Sequence, residues 1–248
     1  MTILCYHSID ERLWSSKLVV SPDRFADHCD WLARSRRVKD LTEVLSHSGD
    51  ALTFDDGFGA LYHHALPVLE RHRLPATIFL VAETLTSKGR TVDWIDDPPD
   101  PRPVTLTLDQ VLEMQERGIR FESHSRSHHD LTTLDEEECV TDLRESKEML
   151  EQLLGKDVTL IAYPRGRHND AVRRAAQRAG FVAAFSLPER REPVGRFSIP
   201  RVGIYQDNSA RSLRVKTSPG YLKFRMSRPY PWIRRLIKGK PTPTSAPS

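Results

Sequence analysis

The sequence contains few cysteines, and the three present, Cys5, Cys29 and Cys139, are widely spaced and odd in number. Such a set gives no disulfide framework, and it is typical of a protein kept in a reducing compartment. No apolar run is long enough to span a bilayer. The N-terminus also lacks a basic region followed by an apolar stretch and a cleavage site, so the sequence predicts a cytoplasmic protein.

Acidic residues are missing from one part of the chain. Residues 208–248 contain ten Lys or Arg and no Asp or Glu, whereas residues 1–207 contain 27 basic and 34 acidic residues. Within the basic part, apolar side chains recur at helical spacing with cations between them. These apolar residues are Trp232, Ile233, Leu236 and Ile237. We therefore predict a domain of residues 1–207 and a basic amphipathic tail of residues 208–248, disordered at its Pro/Ser/Thr-rich end.

The tail composition suits an anionic membrane surface. Nucleic-acid binding is the rival interpretation and the less expected one, and a solvated tail without a partner is the third. Because no segment is apolar enough to span a bilayer, any attachment would be peripheral.

Short apolar segments alternate with helical patterns along residues 1–207, which predicts a parallel sheet with crossover helices. The strand candidates lie near residues 3–6, 51–54, 76–81, 119–122, 158–162, 182–185 and 198–202. The helix candidates lie near residues 22–33, 59–71, 107–117, 135–154 and 169–179. About seven such units predict an α/β fold, a distorted (β/α) barrel, whose chemistry collects at the C-terminal ends of the strands.

Two short motifs carry most of the functional information: residues 53–57, Thr-Phe-Asp-Asp-Gly, and residues 124–128, His-Ser-Arg-Ser-His. Asp55 and Asp56 follow an apolar strand candidate, and side-chain alternation lets one bind a cation while the other accepts a proton. The spacing of His124 and His128 suits a divalent metal. Alone, Asp-Asp-Gly is usually a turn and His-x3-His a solvated pair, but together they indicate an open catalytic metal site.

Both motifs resemble those of the polysaccharide deacetylases of carbohydrate esterase family 4. The resemblance implies the barrel fold, with Asp55 as general base and Asp56, His124 and His128 as ligands of a divalent metal, most often zinc. Residues 4–8, Leu-Cys-Tyr-His-Ser, resemble the strand that supplies the catalytic acid, which would be His7. Its position at the start of the chain is similar to the circularly permuted branch that includes poly-N-acetylglucosamine deacetylases.

One motif of the family departs from its usual form here. Many members have an Arg-Pro-Pro-Tyr-Gly-like segment whose Arg tethers the base, but the corresponding residues 162–166 begin with Ala162. Arg201, on the last strand candidate, is the candidate replacement, and a surface arginine is the alternative interpretation. The resemblance places an oxyanion donor at the backbone N–H of Arg165 and makes Tyr163 a candidate substrate contact.

Three functional classes follow. The first is a metal-dependent hydrolase that removes an N-acyl group, expected to be N-acetyl, from an amino sugar in a polysaccharide or lipid-linked glycan precursor. It would act in the cytoplasm or at the inner face of the membrane. The second is an amidohydrolase acting on a small amide or imide. The third is a glycan-binding relic, which the intact base and acid disfavour. The loop at 84–103 carries Trp94, which either stacks on a sugar ring or pins the loop to the barrel.

Overall fold

The computed structural model describes residues 1–14, 17–35, 37–188, 191–218, 220–227 and 229–230. The strands assigned in these residues are β1 (Thr2–Tyr6), β2 (Ser8–Ile9), β3 (Val19–Val20), β4 (Asp50–Phe54), β5 (Ala76–Leu80), β6 (Arg120–Ser123), β7 (Leu160–Ala162), β8 (Ala183–Ser186), β9 (Ile199–Pro200) and β10 (Val202–Gly203). The short β2 and β3 pair with each other, and the remaining eight form one parallel sheet in the order β10-β1-β4-β5-β6-β7-β8-β9.

The sheet closes through a single stretch of chain. Strands β9 and β10 are halves of residues 199–203, separated only by Arg201. One half pairs with β8 and the other with β1, so this stretch joins the two ends of the sheet order. The described residues therefore form a barrel of seven chain segments, and the prediction of a distorted (β/α) barrel of about seven strands is confirmed. Arg201 lies at the seam.

Helices separate the strands. Those of the described residues are α1 (Pro22–Ser35), α2 (Leu41–Ser46), α3 (Leu66–His72), α4 (Leu108–Glu116), α5 (Glu136–Leu154), α6 (Asp170–Arg178), α7 (Ala210–Lys216) and α8 (Tyr221–Arg225). The predicted helix at 59–71 is only partly α-helical, because a π-helical turn, Leu61–Ala65, precedes α3. Pro67 explains the change, since it lacks the N–H that an α-helix would pair with the carbonyl of residue 63.

Burial of the strands follows their place in the barrel. Every residue of β1, β4 and β5 is buried. A parallel strand that is covered on both faces is expected to be largely apolar without alternation, and most residues of these three strands are apolar. The three cysteines are free and buried, in agreement with the absence of a disulfide framework.

The predicted boundary between residues 207 and 208 falls inside packed structure, so that part of the domain prediction is wrong. Leu213 of α7 is fully buried, and Lys216 Nζ donates to the carbonyl of Gly203 at 2.6 Å. The carbonyl of Asn208 lies 2.9 Å from His28 Nε2 of α1. The basic composition of this segment did not indicate the packing, which depends on one buried apolar side chain, Leu213. The barrel therefore includes α7.

The apolar stripe of the tail, Trp232, Ile233, Leu236 and Ile237, lies outside the described residues. Among the residues that are described, no helix combines the length and the apolar character needed to cross a bilayer.

Candidate metal and catalytic site

The motif residues meet at one end of the barrel. His7 follows β1, Asp55 and Asp56 follow β4, and His124 follows β6. Because these strands are parallel, their C-terminal ends share one rim, where (β/α) barrels assemble catalytic residues. His128 lies four residues beyond His124 on the same loop.

Unusual backbone conformations collect at this rim. Among the described residues, the non-glycine residues with positive φ include Asp56 (69°), Ser125 (69°), His128 (63°) and Arg165 (57°). A non-glycine residue in this region costs free energy, and such residues cluster at functional sites. Gly57 continues the turn at φ 62°, and a Cβ there would lie 2.6 Å from Leu80 Cδ2, so glycine is favoured after the two carboxylates.

Asp56, His124 and His128 converge as a triad. Asp56 Oδ1 lies 3.2 Å from His128 Nε2 and 3.6 Å from His124 Nε2. One potential ligand atom from each residue lies within 4.8 Å of the others, and all three residues are buried. One carboxylate with two imidazoles is a donor set of catalytic zinc sites that leaves room for water and substrate.

The protonation of His124 fits a cation at this point. Its Nδ1 lies 2.8 Å from the carbonyl of Ala162, so Nδ1 carries the proton and donates. Burial lowers the pKa of His124 to about 4, so the ring is neutral and the Nε2 lone pair faces Asp56. Burial opposes the ionisation of Asp56, but chiefly the hydrogen bond and electrostatic interaction with His128 outweigh it and lower its pKa to about 2. The Nε2 atom of His124 and the carboxylate of Asp56 are both electron-pair donors, and a cation between them would accept both.

Asp55 has a different environment. Arg201 Nη1 and Nη2 donate to Asp55 Oδ1 and Oδ2, each at 2.7 Å, and both side chains are buried. Burial alone would raise the pKa of Asp55, but the Arg201 guanidinium outweighs it and keeps this pKa well below its usual range. The Cys5 thiol, whose pKa burial raises, also donates to Asp55 Oδ2 at 3.3 Å. The carboxylate is therefore ionised and fixed in orientation.

A cleft of about 1120 Å³ opens above these residues. His7, Asp56, His124 and His128 line one part of it. His7 Nδ1 is buried and has no hydrogen-bond partner among the described residues. His7 thus lines the cleft beside the triad, and one of its ring nitrogens makes no hydrogen bond within the described residues.

The two residues predicted to bind substrate are placed differently. Arg165 lines the cleft from a short 3₁₀ turn after β7, Pro164–Gly166. Tyr163 does not reach it: its hydroxyl donates to the carbonyl of Phe197 at 2.9 Å, and its backbone N–H donates to Phe185 O. The predicted substrate contact of Tyr163 is therefore wrong, because both of its donors are used within the barrel.

Trp94 contacts the triad directly, which the sequence did not indicate. Its indole N–H donates to Asp56 Oδ1 at 3.0 Å, and its ring stacks on His128 with centroids 4.8 Å apart. Cys5 is a second site residue that the sequence analysis did not single out, since its thiol donates to Asp55. Side chains two apart on a strand share a face, so the position of Cys5 relative to His7 was the available signal.

Comparison with known proteins agrees with this geometry. The sequence profile of the polysaccharide deacetylase family matches residues 48–184, more than half of the chain. The chain belongs to this family. The matched region contains Asp55, Asp56, His124 and His128 but not His7 or Arg201.

Individual relatives are distant in sequence. YxkH of Bacillus subtilis (strain 168) is 28% identical over 191 residues, which are 73% of this chain and 62% of YxkH, so the chain spans less than two thirds of that relative. The poly-beta-1,6-N-acetyl-D-glucosamine N-deacetylase of Staphylococcus aureus (strain MRSA252) is 27% identical over 210 residues, 76% of this chain and 68% of that protein. The deacetylase PplD of Streptococcus pyogenes, solved with acetate, superposes with a TM-score of 0.74 at 25% identity, covering 88% of this chain and 98% of PplD.

Proposed function

We propose that the protein is a metal-dependent N-deacetylase that removes the acetyl group from an N-acetylated amino sugar of a glycan. The observation that carries this is a pair of adjacent carboxylates that are held differently, of which Asp56 lines the cleft and Asp55 is buried behind it. Asp56 is grouped with two imidazoles, whereas both carboxylate oxygens of the adjacent Asp55 accept hydrogen bonds from Arg201. A binding site would need neither arrangement, whereas amide hydrolysis needs a cation and a separate base.

Each residue has one task in this scheme. We infer that zinc is the ion, because a carboxylate and two imidazoles suit it, and when bound it acidifies water and polarises the acyl carbonyl. Asp55 accepts the proton of the attacking water, and Arg201 keeps the carboxylate ionised and oriented until that transfer. The Arg165 backbone N–H donates to the developing oxyanion. His7, aimed into the cleft, donates a proton to the departing amine nitrogen.

The size of the cleft favours a glycan over a small amide. About 1120 Å³ exceeds the roughly 300–1,000 Å³ of pockets that enclose one small ligand. Trp94 and Tyr205 contribute aromatic surface to its walls. The Staphylococcus aureus relative is named for an N-acetylglucosamine polymer, and we propose the same substrate class here.

Release of acetate tests this function. The zinc-loaded full-length protein would be incubated with N-acetylglucosamine oligomers, with a lipid-linked N-acetylated sugar, and with small amides and cyclic imides. We expect acetate from the sugars, loss of release after chelation, and recovery on adding zinc. Turnover confined to the small amides or imides would support the amidohydrolase alternative, with imide hydrolysis followed as ring opening because it releases no acetate. Oligomer binding without turnover would support a glycan-binding relic.

We further propose that the basic tail places the enzyme on an anionic membrane at its cytoplasmic face, near a lipid-linked or nascent glycan. The described part of the tail supports this, since Val215 and Phe224 are exposed apolar side chains among cations. Each Lys or Arg near such a surface contributes about 1 kcal/mol. Binding should weaken in salt, because exposed charges are screened.

Charge reversal tests the tail without cutting packed structure. Full-length protein with Arg234→Glu and Arg235→Glu should bind phosphatidylglycerol vesicles at least about tenfold more weakly in cosedimentation at low salt. Reversal of Arg144 and Lys156, which are exposed on the barrel, is the matched control and should change binding little. Equal vesicle binding by both variants would contradict a membrane role for the tail.

A further inference from the structure

Trp94 lies on the loop formed by residues 85–107, between β5 and α4, and this loop is fixed to the barrel. Leu106 N–H donates to Gly57 O and Gly59 N–H donates to Val104 O, each at 2.8 Å. Val92 and Ile95, which lie before and after Trp94 in this loop, are buried. Trp94 is therefore presented to the triad by an anchored segment.

Two polar groups of Trp94, its indole N–H and its backbone carbonyl, contact residues that line the cleft. Its indole N–H donates to Asp56 Oδ1, the oxygen that lies nearest to both imidazole Nε2 atoms. Its carbonyl accepts from Arg165 Nη2 at 3.1 Å. One residue thus links the carboxylate of the triad to the turn that carries the proposed oxyanion donor.

The stacked contact with His128 bears on the role of the ring. The two rings are inclined by only 27°, so one face of the indole is covered by a candidate metal ligand. A sugar cannot stack on that face while His128 occupies it. The ring also restricts His128, whose backbone is already held at φ 63°. The contacts of Trp94 are with residues that would hold the ion.

We propose that Trp94 is a positioning residue of the metal centre: its N–H orients Asp56 Oδ1, and its ring fixes the plane of His128 for the same ion. The proposal rests on the metal site of the proposed function. Partners of metal ligands set ligand orientation, and their loss typically costs about 10–100-fold in metal affinity. Loop pinning alone predicts a change in stability without a change in metal affinity.

Trp94→Phe separates the two roles, because it retains an aromatic ring for His128 and removes the indole N–H with part of the ring surface. We expect its zinc affinity, measured by competition with a chromogenic chelator, to be about 10–100-fold lower than that of the unsubstituted protein. The thermal unfolding midpoint of the metal-free variant should stay close to that of the unsubstituted protein. Trp31→Phe is the matched control, since Trp31 packs against the core on α1, and its zinc affinity should be unchanged.

A second measurement uses the unsubstituted protein, so its result does not depend on the stability of a variant. In protein labelled with 5-fluorotryptophan, the Trp94 fluorine signal should shift during a zinc titration and stop shifting at one equivalent, while the Trp31 signal stays in place. A Trp94→Phe variant with zinc affinity within twofold of the unsubstituted protein, or a Trp94 signal unmoved at saturation, would overturn the proposal. If the unsubstituted protein binds no zinc, the metal centre fails as well, whereas tight zinc binding without acetate release would refute only the proposed reaction.

Discussion

Alanine at Asp56, His124 or His128 is expected to remove the bound metal and nearly all deacetylase activity. Each substitution deletes one of three protein ligands, and two ligands on a solvent-accessible ion hold it weakly. The loss should exceed the roughly 10–100-fold that removing a partner of a ligand costs. Metal content after desalting, measured by elemental analysis, and acetate release from an N-acetylglucosamine oligomer report the two effects on the same sample.

Two variants make this result specific. His129→Ala alters an exposed histidine next to His128 and should keep both metal and activity. Asp55→Asn should keep the metal and lose turnover, because an amide cannot accept the proton of the attacking water. Stoichiometric, tightly held metal in the Asp56, His124 and His128 variants would show that the triad is not the metal site.

The parts of the site that the sequence predicts are local. Asp55 and Asp56 are adjacent, and His124 and His128 share one loop, so short motifs after strand candidates were enough to bring them together. The barrel could be predicted equally well, because few other folds are compatible with apolar segments that alternate with helical patterns. Arg201 was a candidate only because it lies on the last strand of that pattern.

Contacts between distant segments could not be predicted in the same way. Trp94 is 38 positions from Asp56, on a loop whose path no periodicity describes. The prediction for Tyr163 failed for a related reason, because the neighbour that accepts its hydroxyl, Phe197, comes from a loop 34 positions away. The boundary at residue 207 was misplaced because charge dominated the composition of a segment whose single buried leucine, Leu213, decides where it packs.

Arg201→Met is expected to destabilise the protein by about 3–5 kcal/mol near neutral pH, the range found when one partner of a buried ion pair is removed. Arg201 and Asp55 are both buried, and without the guanidinium the carboxylate loses the strongest interaction that offsets its burial. Urea unfolding of the metal-free protein measures this change. Arg201→Lys should be intermediate, because an ammonium keeps the charge and loses the two-pronged contact.

The pH dependence gives the sign of the effect on catalysis. With Arg201 present, the pKa of Asp55 is lower in the folded protein than in the unfolded chain. The ion pair therefore stabilises the fold fully at pH values above the unfolded-state pKa, and this stabilisation is lost as the pH falls through the folded-state pKa. In Arg201→Met the pKa of Asp55 rises, because the main interaction that opposes the effect of burial is removed. The stability deficit should therefore shrink in acid, and the acid limb of kcat/KM should move to higher pH.

A double-mutant cycle assigns the effect to the pair itself. Asp55→Asn in the Arg201→Met background removes the unpaired carboxylate, so the double variant should be less destabilised than the sum of the two single variants. Arg201 also donates to Thr53 Oγ1 at 3.2 Å, a contact that Asp55→Asn leaves in place. Additive free energies, together with an unshifted acid limb in Arg201→Met, would mean that Arg201 packs the barrel seam and does not hold the base. Strong coupling with a shifted limb would mean that the residue closing the barrel between β9 and β10 also keeps the proposed base ionised.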